Sequence, residues 1–221
     1  MQAGEPLLTN LRIKLPKLYP ITDARLTGLS HAEQVRRLSA GGATFVQLRE
    51  KHLSPKEFYR EAEEALRVAR SLSVRLIIND RVDLALALSA DGVHLGQDDL
   101  PPAAARSLLG DEALIGFSTH SIEQASVAAS LPVDYIAIGP IYETTSKENP
   151  DPVVGLDGLR RVRQVVGNIP LVAIGGIRPE NIPYVLKAGA DSVACISLLL
   201  AQPTEIESRT REILAEIEAE L

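Results

Sequence analysis

Short apolar runs alternate along the chain with longer segments in which apolar residues recur at helical spacing. The runs are apolar almost throughout, which is typical of strands in a parallel sheet that is covered on both faces. They predict strands at 18–22, 45–48, 74–78, 92–95, 113–117, 135–138, 171–174 and 193–196. The segments between and after them predict helices at 30–40, 55–71, 81–89, 101–109, 121–130, 155–166, 179–188 and 203–220.

The helix at 55–71 has the most complete pattern. Ser54 precedes Pro55, and Glu57 follows three residues after the serine, which predicts an N-cap, a first-turn proline and a capping box. Its apolar stripe comprises Phe58, Ala62, Ala65, Leu66 and Ala69. We therefore expect one face of this helix to pack against the sheet.

Eight strands, each followed by a helix, is the number of units in a (β/α)8 TIM barrel. A doubly wound open sheet is the alternative, but no glycine-rich dinucleotide-binding pattern follows the first strand. We predict a single-domain α/β barrel over 17–221, preceded by an N-terminal extension at 1–16.

Composition narrows the function classes. The 221-residue chain has a net charge of −6 and a pI near 5.3, so no overall positive field would attract nucleic acid. Its one cysteine, Cys195, excludes an intrachain disulfide and is expected to be a packing residue. We find no secretory signal and no apolar stretch of the ~18 residues that span a membrane. We therefore expect a cytoplasmic protein with no membrane partner, and homo-oligomerisation stays open.

Two acidic residues follow neighbouring predicted strands. Asp80 comes directly after the third strand, and Asp99 lies four residues beyond the fourth. The carboxyl ends of parallel strands meet at one edge, with neighbouring strands ~4.8 Å apart. Two carboxylates at one mouth repel each other unless a proton or a cation separates them. Mg²⁺ accepts one or two carboxylates and keeps its remaining positions for water and phosphate, so we predict a magnesium site here.

A basic segment follows the second strand. Gln47, Arg49 and Lys51 alternate, so their side chains leave on one face and are suited to binding a phosphate chain. The alternative is that the two cations are solvated and paired with Glu50. Asn79 is either an orienting amide or a helix cap. The opposite ends of the strands carry few ionisable residues, and we expect them to be chemically plain.

Two further regions predict contacts to phosphate. The hydroxyl row at 144–147 ends in a lysine and predicts a mobile lid over the substrate, formed by Thr144, Thr145, Ser146 and Lys147. Gly175 and Gly176 follow the seventh strand, and Ile196 and Ser197 follow the eighth. Barrels often bind phosphate at these two positions.

The histidines offer one candidate for proton transfer. His120 follows the fifth strand near the expected mouth, where it is either a proton-transfer group or a helix cap. We expect His31 and His94 to be structural and His52 to be a solvated loop residue.

The ordered motifs at 19–23, 47–51, 77–80, 92–99, 139–147 and 174–177 resemble the thiamine phosphate synthase family over about residues 17–200. The resemblance implies a (β/α)8 barrel and a transferase that joins a pyrimidine diphosphate to a thiazole phosphate, or its carboxylated form. Pyrophosphate would leave and thiamine phosphate would form.

The resemblance also implies a site. Asp80 and Asp99 would bind Mg²⁺. The pyrimidine diphosphate would contact Gln47, Leu48, Arg49, Glu50, Lys51, Asn79, Ser118 and Lys147. The thiazole phosphate would contact Thr144, Thr145, Ser146, Gly176, Ile196 and Ser197. The catalytic set would be Arg49, Lys51, Ser118 and Lys147, which neutralise the leaving diphosphate together with the metal.

Three positions depart from the family pattern. Asp98 stands where the family often has glutamate, Glu143 where proline is common, and Ser192 where glycine is common. The last two change residues of the local loops but leave the hydroxyl row and the phosphate turn in place.

Two alternatives remain. One is a thiazole tautomerase of the same superfamily that uses His120, and the other is a non-catalytic barrel that binds thiazole phosphate. Neither needs a metal and a diphosphate clamp. The joint presence of a metal pair and a set of cations therefore favours the synthase; these residues are Asp80, Asp99, Arg49, Lys51 and Lys147.

Overall fold

The computed structural model describes residues 13–144 and 151–220. Within them, parallel strands pair in chain order, and β8 pairs with β1 to close a barrel. The strands are β1 (Leu18–Thr22), β2 (Phe45–Leu48), β3 (Arg75–Asn79), β4 (Gly92–Leu95), β5 (Leu114–Thr119), β6 (Tyr135–Ile138), β7 (Leu171–Ile174) and β8 (Ser192–Cys195). The predicted (β/α)8 architecture is confirmed, and the open sheet is excluded.

Helices follow the strands around the outside of the barrel. Those described are α1 (Ala24–Thr27), α2 (His31–Ala40), α3 (Pro55–Ser71), α4 (Val82–Ala87), α5 (Pro102–Leu109), α6 (Ile122–Ala128), α7 (Gly155–Val166), α8 (Ile182–Lys187), α9 (Ser197–Leu200) and α10 (Ile206–Glu220). The four-residue helices α1 and α9 were not predicted, because a single turn has too few residues to show a periodic pattern.

The helix starts follow the capping chemistry of the sequence. Ser54 accepts from the Glu57 N–H, and the Glu57 carboxylate accepts from the Ser54 N–H, so the capping box of α3 is confirmed. The predicted helices at 179–188 and 203–220 were wrong in their first turns. Each begins as a 3₁₀ turn, at Pro179–Asn181 and Pro203–Glu205, before the α-helix starts.

Three strands differ from their predicted bounds. β3 and β8 shift by one residue, and β5 extends to Thr119 instead of ending at 117. β5 continues because Ser118 and Thr119 still pair with β6, and the Thr119 hydroxyl donates to the Ala137 carbonyl over 2.8 Å. Polar side chains at the end of a strand hide this continuation from a hydrophobic pattern.

Two apolar layers hold the barrel together. One lies between the strands and the helices and includes the stripe of α3. The other fills the barrel interior and is built around Tyr19, Phe45 and Tyr135, whose rings meet edge to face. Ile13 and Leu15 belong to this inner layer, so the described end of the proposed 1–16 extension packs with the barrel.

The amino-terminal ends of the strands carry ordered acids, so the expectation that this rim is plain was wrong. An aspartate directly precedes β4, β6 and β8, and its carboxylate accepts from the backbone N–H of the preceding strand. These 2.8 Å bonds join Asp91 to Leu76, Asp134 to Ile115 and Asp191 to Leu171.

Arginines complete two of these junctions. Arg106 contacts Asp134 at 2.5 Å, and Arg163 contacts Asp191 at 2.6 Å. Each arginine also donates to backbone carbonyls of the adjoining loops. The Asp134 side chain is buried, and a buried carboxylate is stable only when it is paired and hydrogen-bonded, as it is here. The Asp191 side chain has the same two kinds of partner but is partly exposed.

No helix in residues 13–144 and 151–220 is long and apolar enough to cross a membrane.

Candidate active site

Strand periodicity brings several predicted site residues to the carboxyl mouth of the barrel. Side chains two residues apart in a strand share a face. Phe45, Ile77 and Leu114 belong to the inner layer, so Gln47, Asn79 and Ser118 lie on that same inner face. Leu48 has the opposite parity and packs outward in the layer beneath the helices, so only its backbone is available to a ligand.

The two strand-end acids meet at this mouth. Asp80 and Asp99 lie within hydrogen-bonding distance of each other, and the Gly96 N–H donates to Asp99 Oδ2 over 2.6 Å. Burial and the neighbouring Asp80 raise the pKa of Asp99 above its usual value. The Lys51 ammonium contacts Asp80 on the same pair. The two carboxylates at the mouth therefore repel each other, and a positive charge beside them, such as that of Lys51, reduces this repulsion.

Asp80 has an unusual backbone. Its φ of 62° lies in the left-handed region, which few residues other than glycine, asparagine and aspartate adopt. The Asp80 N–H donates to the His94 carbonyl over 2.8 Å and fixes this conformation between β3 and β4. Such backbone strain gathers at functional sites.

Asn79 is not a helix cap. The cap position of α4 is Arg81, which makes no side-chain cap bond. Asn79 instead ends β3 as a buried residue, and its Nδ2 has no hydrogen-bond partner among the described residues. A buried amide donor without a partner at a mouth is suited to a ligand acceptor.

The donor set fits Mg²⁺. Two carboxylates converge, and Mg²⁺ accepts one or two carboxylates while keeping its other positions for water and phosphate oxygens. The buried Asn79 amide next to Asp80 is an N–H donor that suits an oxygen of the same phosphate. No group of three or more His, Cys, Asp or Glu residues suited to a metal occurs in the described parts of the chain.

In the segment after β2, the two cations and the carboxylate of Glu50 contact different partners. Arg49 Nη1 contacts Asp23 Oδ2 at 3.3 Å, and Lys51 contacts Asp80. The Glu50 carboxylate turns the other way and meets His31 Nε2 at 3.3 Å. The structure therefore pairs Glu50 with a buried histidine and not with the cations.

Glu50 also orders its own loop. Its carboxylate accepts from the backbone N–H groups of His52 and Leu53, at 2.6 and 3.2 Å. Burial acts to raise the pKa of Glu50, but these bonds and His31 together lower it. The Glu50 side chain is 6% exposed, so it supports the segment from behind.

The two residues after β7 must be glycines because the backbone of another loop lies against them. Gly175 and Gly176 have φ of 98° and 65°, and a Cβ on Gly176 would lie 2.2 Å from the Glu143 carbonyl oxygen. The loop after β6 therefore packs directly on this turn, and the Tyr142 N–H donates to the Gly175 carbonyl. The turn places Thr144 on the same side of the barrel as β7.

Of the remaining residues predicted to contact phosphate, some lie within the described residues and others do not. Ile196 and Ser197 follow β8 directly, at the start of the unpredicted helix α9, and not at the end of the strand. Thr145, Ser146 and Lys147 lie outside the described residues, so the lid stays a prediction.

His120 lies at the mouth but does not cap α6. The cap is Ser121, whose hydroxyl accepts from the Gln124 N–H. His120 Nδ1 instead lies 2.8 Å from the Gly139 carbonyl oxygen and 3.4 Å from Asp151 Oδ2. The ring therefore joins β5 to the loop after β6.

Comparison with known families shows to which family this chain belongs. The family model described as thiamine monophosphate synthase matches residues 18–199, which is most of the chain. The chain belongs to the thiamine monophosphate synthase family. The match begins at the first residue of β1, ends within α9 and spans every residue of the mouth described above.

Individual relatives agree. A thiamine-phosphate synthase of Koribacter versatilis is 49% identical over 209 residues, which cover 91% of this chain and 97% of that protein. The Chloroflexus aurantiacus thiamine-phosphate synthase is 46% identical over 200 residues, covering 90% and 91%. The solved thiamine phosphate pyrophosphorylase from Pyrococcus furiosus superposes with a TM-score of 0.84 at 38% identity, covering 96% of this chain and all of that one.

Sequence reasoning missed a group of polar side chains directly below the mouth of this synthase-family barrel. Tyr19 and Tyr135 appear in the sequence as core aromatics, and His94 as a strand histidine, yet the three side chains form one hydrogen-bonded group. The available signal was that a buried tyrosine hydroxyl requires a partner. Nothing in the sequence specifies which partner, because these residues are far apart along the chain.

Proposed function

We propose that this chain, a transferase of the thiamine-phosphate synthase family, joins a pyrimidine diphosphate to a thiazole phosphate and releases pyrophosphate. The observation that carries the proposal is the convergence of Asp80, Asp99 and Lys51 at the carboxyl mouth of the barrel. The described cysteine, Cys195, is buried, and burial raises the pKa of its thiol to about 12. Two converging acids that can hold a cation, with a lysine beside them, suit the departure of an anionic leaving group.

We assign Mg²⁺ to Asp80 and Asp99, with phosphate oxygens and water as its other ligands. When bound there, the ion would neutralise the diphosphate and lower the barrier to its departure. Arg49 and Lys51 would bind the same diphosphate in place of Asp23 and Asp80, their partners here. Gln47, Asn79 and Ser118 would hold the pyrimidine substrate from the inner face of the barrel.

The bond changes balance without an external proton donor. The carbon–oxygen bond between the pyrimidine methylene and the diphosphate breaks, and both electrons leave with the diphosphate. The thiazole nitrogen then supplies its lone pair to the methylene carbon, and a carbon–nitrogen bond forms. The protein contributes mainly by positioning the two substrates and stabilising the leaving charge.

We assign the thiazole phosphate to the turn at Gly176, to Ile196 and Ser197, and to the hydroxyl row Thr144, Thr145 and Ser146. Lys147 would approach the diphosphate from the same loop. What supports this assignment is that Tyr142 and Glu143 pack on Gly175 and Gly176, so that Thr144, the first residue of the row, follows directly after a contact with the turn beyond β7. We place this activity in the cytoplasm, with small molecules as its partners.

A coupled assay tests the proposal. The full chain is incubated with both substrates and Mg²⁺, and thiamine phosphate and pyrophosphate are measured together. We expect equal amounts of the two products. Isomerisation of the thiazole phosphate without coupling would instead show a tautomerase, with His120 as its proton-transfer group. Binding of thiazole phosphate with no product of either kind would show a non-catalytic barrel.

A further inference from the structure

A continuous row of hydrogen bonds crosses the barrel interior below the mouth. Gln47 Nε2 donates to the Tyr19 hydroxyl over 3.1 Å, and the Tyr19 and Tyr135 hydroxyl oxygens are 2.9 Å apart. Tyr135 Oη lies 3.1 Å from His94 Nδ1, and His94 Nε2 lies 2.8 Å from Ser118 Oγ. We call these five residues the interior relay. It connects β2 to β5 through side chains of β1, β6 and β4.

The relay is enclosed by the barrel. Its first four members are buried, and Ser118, at the end, is half-buried at the mouth. His94 stacks on Tyr135 with ring centroids 5.5 Å apart. A Cβ on Gly116 would lie 2.1 Å from the Tyr135 ring, so only glycine at this position leaves room for the tyrosine. The glycine of β5 therefore makes the space that the Tyr135 ring occupies in the relay.

The donors give the relay a direction. The Tyr19 oxygen accepts from the Gln47 amide, and the 2.9 Å contact between the hydroxyls allows either tyrosine to donate. Within the relay, the Tyr19 proton has an acceptor only if it is donated to Tyr135. The Tyr135 proton is then directed to His94 Nδ1. Nδ1 is an acceptor, so the neutral ring holds its proton on Nε2 and donates it to Ser118 Oγ.

We propose that His94 is a positioning residue, held by the relay as the Nε2–H tautomer, which leaves the Ser118 hydroxyl proton free to be donated to an anionic oxygen at the mouth. The assignment of that oxygen to the diphosphate substrate rests on the proposed function. The tautomer itself does not. Gln47 and Ser118, on separate walls of the mouth, are thereby set by one hydrogen-bonded group.

Nitrogen-15 NMR of the ligand-free protein tests the tautomer. The histidine rings are labelled, and the His94 signals are assigned by their loss in His94→Gln. We expect an unprotonated Nδ1 and a protonated Nε2 at neutral pH. Tyr135→Phe removes the donor to Nδ1 and should shift the ring toward the other tautomer. Tyr59→Phe is the matched control, because the Tyr59 hydroxyl donates to Glu63 on the exposed surface of α3, outside the barrel interior.

Two substitutions of His94 test the consequence for substrate. His94→Gln can place an amide N–H where Nε2 donates to Ser118, whereas His94→Asn reaches only the Nδ1 position. We expect His94→Asn to lose about 10- to 100-fold in kcat/KM, through a higher KM for the pyrimidine diphosphate, as for a lost hydrogen bond to a charged group. His94→Gln should recover most of this loss, which a merely structural role would not predict.

The outcomes separate the two proposals. A protonated Nδ1 in the unmodified protein, or a tautomer unchanged by Tyr135→Phe, would overturn the relay whatever the enzyme does. Equal losses in His94→Gln and His94→Asn would overturn the positioning role. If the unmodified protein forms no thiamine phosphate, the proposed function fails while the tautomer measurement still decides the relay.

Discussion

The two rims of the barrel use the same side chain in opposite ways. At the amino-terminal rim, Asp134 is buried, accepts from a strand N–H and is paired with Arg106. At the carboxyl rim, Asp80 and Asp99 face each other, and Asp80 has a left-handed backbone. At the amino-terminal rim the carboxylate is paired with a cation and a backbone N–H, whereas at the carboxyl rim two carboxylates repel each other. The difference indicates that the first rim serves stability and the second serves binding and catalysis.

The largest expected effect comes from removing one acid of the mouth. Asp80→Asn and Asp99→Asn should each lower kcat/KM for coupling by about 10³-fold, because metal-ion stabilisation of a leaving group is worth several kcal/mol. The free energy of unfolding should stay within about 1 kcal/mol, because the repulsion is relieved and asparagine tolerates a left-handed backbone. Steady-state kinetics and urea unfolding measure both. A variant that is active but unfolds easily would reverse the comparison.

The opposite rim should show the reverse pattern. Asp134→Ala removes one partner of a buried ion pair and leaves a strand N–H unsatisfied, so we expect a loss of about 3 kcal/mol in unfolding free energy. Asp191→Ala should lose less, because the Asp191 side chain is 48% exposed and that of Asp134 is 5% exposed. The kcat/KM of both folded variants should be unchanged. A loss of activity without a loss of stability would contradict the division of roles.

The interior relay predicts a pH effect between the rims. Burial lowers the pKa of His94 from 6.5 to about 4, and the attraction of Asp99 only partly opposes this. The unfolded chain therefore binds this proton first as the pH falls, and stability decreases from about pH 6.5 down to pH 4, with no further change below. Relative to His94→Gln, the unmodified protein should lose on the order of 3 kcal/mol over this interval. Parallel pH profiles for the two proteins would refute the shift.

The smallest effect is expected for an acid on neither rim. Asp157 lies in the first turn of α7, contacts Arg160 and is 96% exposed. Asp157→Ala should change the unfolding free energy by less than about 1 kcal/mol and leave kcat/KM unchanged. A larger loss in urea unfolding would show that the barrel responds to acidic substitutions in general, and the contrast between the rims would lose its meaning.

The sequence predicted best what local chemistry decides. The bounds of α3 and α7 agree with the prediction, because a serine cap, a first-turn proline or a following glycine marks their ends. The convergence of Asp80 and Asp99 was also predictable, since strand ends in a parallel barrel share one rim.

What the sequence left out depends on pairs distant along the chain. Tyr19 and Tyr135 are 116 residues apart, and their hydroxyl bond follows only from barrel closure. Asp134 and Asp191 look like ordinary loop acids until their strand neighbours are known. Glu50 looked like a partner for Arg49 or Lys51, but alternation along the segment turned it toward His31.

The central claim is that Asp80 and Asp99 hold the cation that lets the diphosphate leave. The most direct measurement is the rate of pyrophosphate release as a function of Mg²⁺ concentration, with both substrates saturating, for the unmodified protein and for Asp99→Asn. We expect saturable dependence on Mg²⁺ in the unmodified protein and a much higher half-saturating concentration, with a lower maximal rate, in the variant. An identical Mg²⁺ profile for the two proteins would contradict the account.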